Sequence, residues 1–128
     1  MKKKYDFVVG VPCSKLKDFT DKIENYIPST KEDEAIYLAV GAYLTGKKPL
    51  VFLQNSGLGF VISPIISLLK PYNIKIDLLV SVRKNPKHHA FMGKVTKKLL
   101  KDIEYTNVKF IEEWDINITN PEEKQSKK

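Results

Sequence analysis

The sequence has 128 residues, 22 Lys and Arg against 15 Asp and Glu, and a formal charge of +7. That length suits one domain, and 42% apolar residues are enough for a packed core, which excludes wholesale disorder. Its one cysteine, Cys13, excludes an internal disulfide framework and any multi-cysteine zinc or iron–sulfur site.

Taken in chain order, Asp6 to Gly10 reads as a short buried strand, because Phe7, Val8 and Val9 form an unbroken apolar run closed by Gly10 and Pro12. Ser14 is the expected N-cap of a helix reaching about Asn25, with Leu16, Phe19 and Ile23 on its inner face. Tyr26 and Ile27 suggest a second strand ended by Pro28. Ser29 and Thr30 then open a second helix whose buried face is read as Ala35, Leu38, Ala39, Ala42 and Tyr43, with Gly46 as its C-terminal stop. Leu50 to Leu53 is a strand followed at once by Asn55-Ser56-Gly57-Leu58-Gly59. A third helix is expected over Phe60 to Leu69, with Pro64 limiting its first turn. Ile74 to Val82 reads as the longest strand, Arg83 to His89 as a polar loop, Gly93 to Ile103 as a helix and Val108 to Ile111 as a last strand.

Strands that are apolar throughout, separated by amphipathic helices, predict an α/β fold: a doubly wound, mainly parallel sheet with helices on both faces. Residues 1–115 are read as one domain and 116–128 as a polar, disordered tail. No apolar stretch reaches the ~20 residues that span a bilayer, since Leu50 to Leu69 is broken by Gln54, Asn55, Gly57, Gly59 and Pro64. Asp6, Gly10 and Pro12 likewise break any signal-peptide core behind Lys2 to Lys4, so a cytoplasmic location is expected and no membrane contact. Six of the 22 basic residues are the terminal Lys2, Lys3, Lys4, Lys124, Lys127 and Lys128; the other 16 nearly balance the 15 acidic residues. The charge is tail charge, and the body lacks the interleaved basic and aromatic residues of a nucleic-acid binder.

Ligands of such sheets bind beyond the carboxyl ends of the strands. Three loops fall there: Gly10 to Ser14, Gln54 to Gly59, and Arg83 to Met92. Ser29 and Glu32 have capping-box spacing at a helix start, and a carboxylate there is also well placed to work on a ligand. Gly57 and Gly59 permit close backbone approach, but Ile62 stands where a dinucleotide fingerprint needs its third glycine, and no Walker lysine is present. Arg83, Lys84, His88 and His89 suit an anionic substrate and a proton donor, or simply a solvated loop. Cys13 has no base near it in sequence and is read as structural.

In combination, Gly10-Val11-Pro12-Cys13, Glu32-Asp33-Glu34-Ala35, Gly41-Ala42-Tyr43-Leu44, Leu53-Gln54-Asn55-Ser56-Gly57-Leu58-Gly59 and Met92-Gly93-Lys94 resemble the thiamine-diphosphate-dependent 2-oxoacid decarboxylases. The likeness is to the alpha subunit of sulfopyruvate decarboxylase and the N-terminal part of phosphonopyruvate decarboxylase, over roughly Val8 to Leu100. It implies a pyrimidine-binding domain of the thiamine-diphosphate-binding fold. In that family a helix-start glutamate contacts N1′ of the aminopyrimidine and favours the imino tautomer that removes the thiazolium C2 proton; the matching residue is Glu32. The resemblance further implies that Asn55, Ser56 and Gly57 line the cofactor cleft. His89, or His88 by another alignment, matches the family's histidine, and Pro12, Arg83 and His88 would meet the substrate.

The family holds the diphosphate through Mg²⁺ on a Gly-Asp-Gly…Asn segment, which this sequence lacks. The resemblance therefore implies a beta subunit carrying that segment, a hetero-oligomer, and release of CO2 and an aldehyde from sulfopyruvate or phosphonopyruvate. Phe60 and Ser63 stand where the family has asparagines. They keep open an alternative, a non-catalytic binding or regulatory paralogue of the same fold. A flavodoxin-like or receiver-like module is a third reading; the receiver form would want an acidic cluster at the strand ends, and the first strand ends in Val9-Gly10 instead.

Overall fold

The computed structural model describes residues 4–23 and 25–112. The expected tail at 116–128 lies outside the described residues. Five strands form one sheet: β1 (Phe7–Gly10), β2 (Tyr26–Pro28), β3 (Pro49–Gln54), β4 (Asp77–Val82) and β5 (Val108–Glu112). Their order is β2-β1-β3-β4-β5, and every neighbouring pair is parallel. The helices are α1 (Lys17–Asp21), α2 (Glu32–Leu44), α3 (Leu58–Pro64) and α4 (Lys87–Asp102).

This is the predicted parallel α/β sheet, and the two cores follow from strand alternation. Val9, Val51, Leu53, Leu78, Val80 and Val82 face α2, α3 and α4. Val8, Leu50, Phe52 and Leu79 face the other way, where Leu16, Phe19 and Ile23 cover them. The order also fixes the site. The chain moves outward from β1 to β2, then returns past β1 to β3, so the crossovers on either side leave a crevice between the carboxyl ends of β1 and β3.

Local chemistry explains where the elements differ from expectation. Cys13, not Ser14, is the N-cap at the first helical segment, and no side chain caps it. Ser14–Leu16 is a 3₁₀ turn, and the α-helix after it runs only from Lys17 to Asp21. The inner face of α2 is Ala35, Ile36, Ala39, Val40 and Ala42, while Leu38 and Tyr43 turn outward. Apolar residues surround this helix, so two stripes fit the 3–4 spacing and packing chose the one with small alanines against the sheet. Its end is as expected: Gly46 has φ +94°, and Gly46 N–H and Lys47 N–H donate to Tyr43 and Ala42 carbonyls at 3.0 Å each, a Schellman motif.

The third helix begins at Leu58, two residues early, and Pro64 ends its α-helical ladder rather than limiting its first turn. Proline has no N–H to donate, and the chain continues through Ile65–Leu69 as a wider turn in which Lys70 N–H reaches Ile65 O. Strand β4 starts at Asp77, not Ile74. Ile74 and Ile76 are buried, but the Ile76 backbone is taken by the side chain of Tyr105, whose hydroxyl accepts from Ile76 N–H at 3.0 Å and donates to Ile76 O. Helix α4 begins at Lys87, six residues before the expected Gly93. Gly93 lies inside it, where a Cβ would come within 2.9 Å of Arg83 O, so the missing side chain lets α4 pack on the loop after β4.

Candidate functional site

The crevice at the ends of β1 and β3 is built by the first and second of the three expected loops, with the third beside them at β4. Gly10 closes β1 directly against β3: a Cβ there would lie 2.2 Å from Phe52 O. Beyond it Val11 is half-buried and Pro12 exposed at the crevice rim. Cys13 is half-buried, and burial pushes its thiol above the ordinary value. The backbone N–H groups of Leu16 and Lys15 and the charges of Arg83 and Lys15 act in the opposite sense. The Arg83 guanidinium therefore bears on the first loop across the sheet end.

Glu32 is the first residue of α2 and is half-buried. The capping role falls to a different acid. Glu34 Oε1 accepts from Ser29 Oγ at 2.7 Å, Thr30 N–H at 2.9 Å and Thr30 Oγ at 3.0 Å. These donors, the Ser29 hydroxyl foremost, hold the Glu34 carboxyl below its usual range. The capping box read between Ser29 and Glu32 is thus corrected to Ser29 and Thr30 with Glu34. The Glu32 carboxylate is released from capping and makes no hydrogen bond or ion pair with any described residue. It lies against Gly57, where a Cβ would fall 2.2 Å from both Glu32 Cδ and Oε2. Two residues far apart in sequence, both read as site residues, are in contact at the crevice.

The loop after β3 is a 3₁₀ turn, Asn55–Gly57, running into α3. Ser56 is exposed at its tip and accepts from Gln54 Nε2 at 2.8 Å. Asn55 is fully buried, and its amide is committed to protein groups. Its Nδ2 donates to Arg83 O at 3.1 Å and to Thr96 Oγ1 at 2.9 Å, and its Oδ1 accepts from Arg83 N–H at 3.0 Å. The expectation for Asn55 was a cleft-lining side chain; the structure instead makes it a clamp between β3, β4 and α4. A buried amide can satisfy a neighbouring strand's backbone so completely only when nothing else claims it.

Arg83 is half-buried at the end of β4, and its Nη2 makes a long contact of 3.3 Å to Asn85 O. Its Nε is enclosed and has no partner among the described residues. His88 and His89 lie in the first turn of α4, not in a loop, with ring centroids 4.1 Å apart. His88 is exposed and His89 half-buried, with its N–H bonded to Pro86 O at 2.8 Å. Phe60, on the first turn of α3, carries the Lys31 ammonium 5.4 Å from its ring centre, one residue from Glu32. Sequence reasoning missed this pair and Thr96, because neither has a local pattern. Among the described residues no group of three or more His, Cys, Asp or Glu is arranged to hold a metal ion, and no helix is long and apolar enough to cross a membrane.

Comparison with known proteins agrees with this geometry. No family model matches the chain. It is 44% identical over 108 residues to the sulfopyruvate decarboxylase subunit alpha of Methanococcus maripaludis, covering 77% of this chain and 65% of that protein. It is 40% identical over 104 residues to the protein of that name from Methanocaldococcus jannaschii, covering 74% and 62%. A phosphonopyruvate decarboxylase of Streptomyces viridochromogenes is 37% identical over 103 residues, 73% of this chain but 26% of its own length. The chain spans less than two thirds of the length of these two alpha subunits.

Proposed function

We propose that this chain, homologous over three quarters of its length to alpha subunits of sulfopyruvate decarboxylase, is the pyrimidine-binding part of a thiamine-diphosphate-dependent decarboxylase of sulfopyruvate or phosphonopyruvate. The observation that carries the reading is Glu32: a carboxylate without protein partners among the described residues, at the start of α2, against the bare backbone of Gly57. Such a group fits an aminopyrimidine nitrogen, because it is aimed from a rigid helix start and left free to share a proton. Gly57 supports the fit by leaving room that any side chain would fill.

Glu32 would hold N1′ of the pyrimidine and exchange a proton there. Gly57 would let the ring lie close to the backbone, and Ser56, at the loop tip, offers a hydroxyl to the cleft. Pro12 and Val11 would form the opposite wall. Thiamine diphosphate, when bound, supplies the electron sink that decarboxylation of a 2-oxoacid requires. Arg83 would bring positive charge for an anionic substrate, Lys84 being ion-paired with Glu112, and His88 or His89, on the first turn of α4, would supply a proton to the product side.

A beta subunit would carry the Mg²⁺ and diphosphate site, for which this sequence has no Gly-Asp-Gly segment. The relatives' designation as alpha subunits and the exposed apolar residues on the outer side of α2 and α3 support a hetero-oligomer. The test is to co-purify the chain with a Gly-Asp-Gly…Asn partner and measure CO2 release from both oxoacids with cofactor and Mg²⁺. Glu32→Gln should lower turnover by at least about 100-fold, since the loss of an acid–base group costs ~10²–10⁴. Wild-type turnover in that variant would overturn the assignment of Glu32. The second reading, a non-catalytic paralogue, is favoured by Phe60 under Lys31 beside the site. It predicts a complex that binds the cofactor and releases CO2 from no 2-oxoacid.

A further inference from the structure

The carboxyl end of β4 holds two enclosed polar atoms without a partner among the described residues, Ser81 Oγ and Arg83 Nε. Ser81 is fully buried, and strand alternation puts it on the Leu79 side of the sheet, the side on which Cys13 packs. Arg83 follows two residues later, near enough for its charge to favour the Cys13 thiolate. An enclosed N–H or hydroxyl without a partner destabilises the fold. A ligand acceptor would offset that cost.

The Arg83 backbone, by contrast, is held without slack. Asn55 takes its N–H at 3.0 Å and gives to its carbonyl at 3.1 Å. The second amide hydrogen of Asn55 goes to Thr96 Oγ1 at 2.9 Å, and Thr96 in turn donates to Met92 O at 2.6 Å. The backbone is pinned while the side chain has an unspent donor. A guanidinium fixed at its base is suited to a planar or tetrahedral oxyanion, which it takes through two parallel N–H bonds.

We propose that Arg83, with Ser81 beside it, binds a tetrahedral oxyanion, the distal acid group of the substrate, and that Asn55 is the positioning residue that holds Arg83 for it. The proposal rests on the decarboxylase reading for the identity of the ligand, but not for the existence of the site. Asn55 acts through the backbone of Arg83 and touches neither substrate nor cofactor.

The first test uses the full-length chain and inorganic sulfate, against sodium chloride at matched ionic strength. The Arg83 Nε–H signal is followed by nitrogen-15 NMR. It should shift and saturate with sulfate in the wild type; in Arg83→Lys, which lacks that signal, the backbone amide signal of Ser81, followed in both proteins, should respond to sulfate only in the wild type. Asn55→Asp, which cannot donate to Arg83 O, should weaken sulfate at least about 10-fold. Should that variant fail to fold by circular dichroism, Thr96→Val removes one of the Asn55 bonds and should weaken sulfate ~3-fold. An Arg83 signal unmoved by sulfate, or an affinity unchanged in the variant that folds, overturns the proposal.

The second test uses the complex with its partner. Asn55→Asp and Ser81→Ala should raise KM for the anionic 2-oxoacid, with kcat and the thiamine diphosphate activation constant held. In Asn55→Asp/Arg83→Met the KM should be no higher than in Arg83→Met alone. A change in the activation constant instead of KM would assign the oxyanion to the cofactor and overturn the proposal. Sulfate binding in a chain whose complexes turn over no 2-oxoacid would keep the oxyanion site and overturn the decarboxylase reading, so the two failures read differently.

Discussion

A missing methyl group sets the distance between α2 and the loop after β3. Gly57 has φ −95° and ψ 7°, a conformation open to any residue, so glycine is required there by space alone. In Gly57→Ala the new Cβ would fall on the Glu32 carboxyl, and carboxyl or loop must shift. Overpacking of this kind costs ~1–3 kcal/mol, a fall in Tm of several degrees for a domain of this size. Removing the obstruction in Gly57→Ala/Glu32→Ala should return most of that loss. Thermal unfolding of the single and double variants checks both, and an unchanged Tm in Gly57→Ala would remove the contact from the argument. The residue scale is also where the sequence was least legible. Glu32 stands at capping-box spacing from Ser29 and Glu34 does not, and only the folded turn shows that Ser29 and Thr30 bond to Glu34 instead. Asn55 sits in a motif that reads as ligand-facing, because sequence does not distinguish an amide spent on a neighbouring strand from one offered to a cleft.

At the scale of elements, the strands were legible because parallel strands buried on both faces read as unbroken apolar runs. The ends of helices were not. The stretch Lys87-His88-His89 looks like a loop by polarity, yet it is the solvent-facing first turn of α4, since exposed helix surface has no need of apolar residues. An ion pair adds to the apolar packing of Leu99, Leu100 and Ile103 with Val108 and Phe110 between α4 and β5. Glu112 lies 2.7 Å from Lys97 Nζ and 3.0 Å from Lys84 Nζ, which joins the end of β5 to α4 and to the loop after β4. The hydrogen bond from Lys97, with help from Lys84 and against desolvation, holds the Glu112 carboxyl below its ordinary value of 4.5. A carboxyl depressed in the folded state contributes stability that is complete above its unfolded pKa and is lost as pH falls through the folded one. Wild type should therefore lose ~0.5–1 kcal/mol relative to Glu112→Gln on acidification from pH 6 to below 4.5, since both lysines are largely exposed. Urea melts of the two proteins at both pH values check it. A gap between them that does not narrow in acid would remove the ionic account.

For the whole molecule, the outer side of the α2 and α3 layer is the surface to watch. Tyr37, Leu38, Leu44, Phe60 and Ile66 are exposed there, and Leu44 is 70% accessible. A side chain that size gains ~1.5–3 kcal/mol on burial. Under the subunit reading, Leu44→Glu should abolish co-purification with the partner and leave the far-ultraviolet circular dichroism of the chain unchanged. Persistent association of that variant would move the partner to another face. The unequal cover of the sheet has a mechanical consequence. Three helices brace the side that carries Glu32, Gly57 and Asn55, whereas the other side has a 3₁₀ turn and the five residues of α1. The crevice is thus a vice with one fixed jaw and one compliant jaw. Adjustment to an incoming molecule falls on the Gly10 to Ser14 loop, and the wall that carries Glu32 and Gly57 keeps its shape.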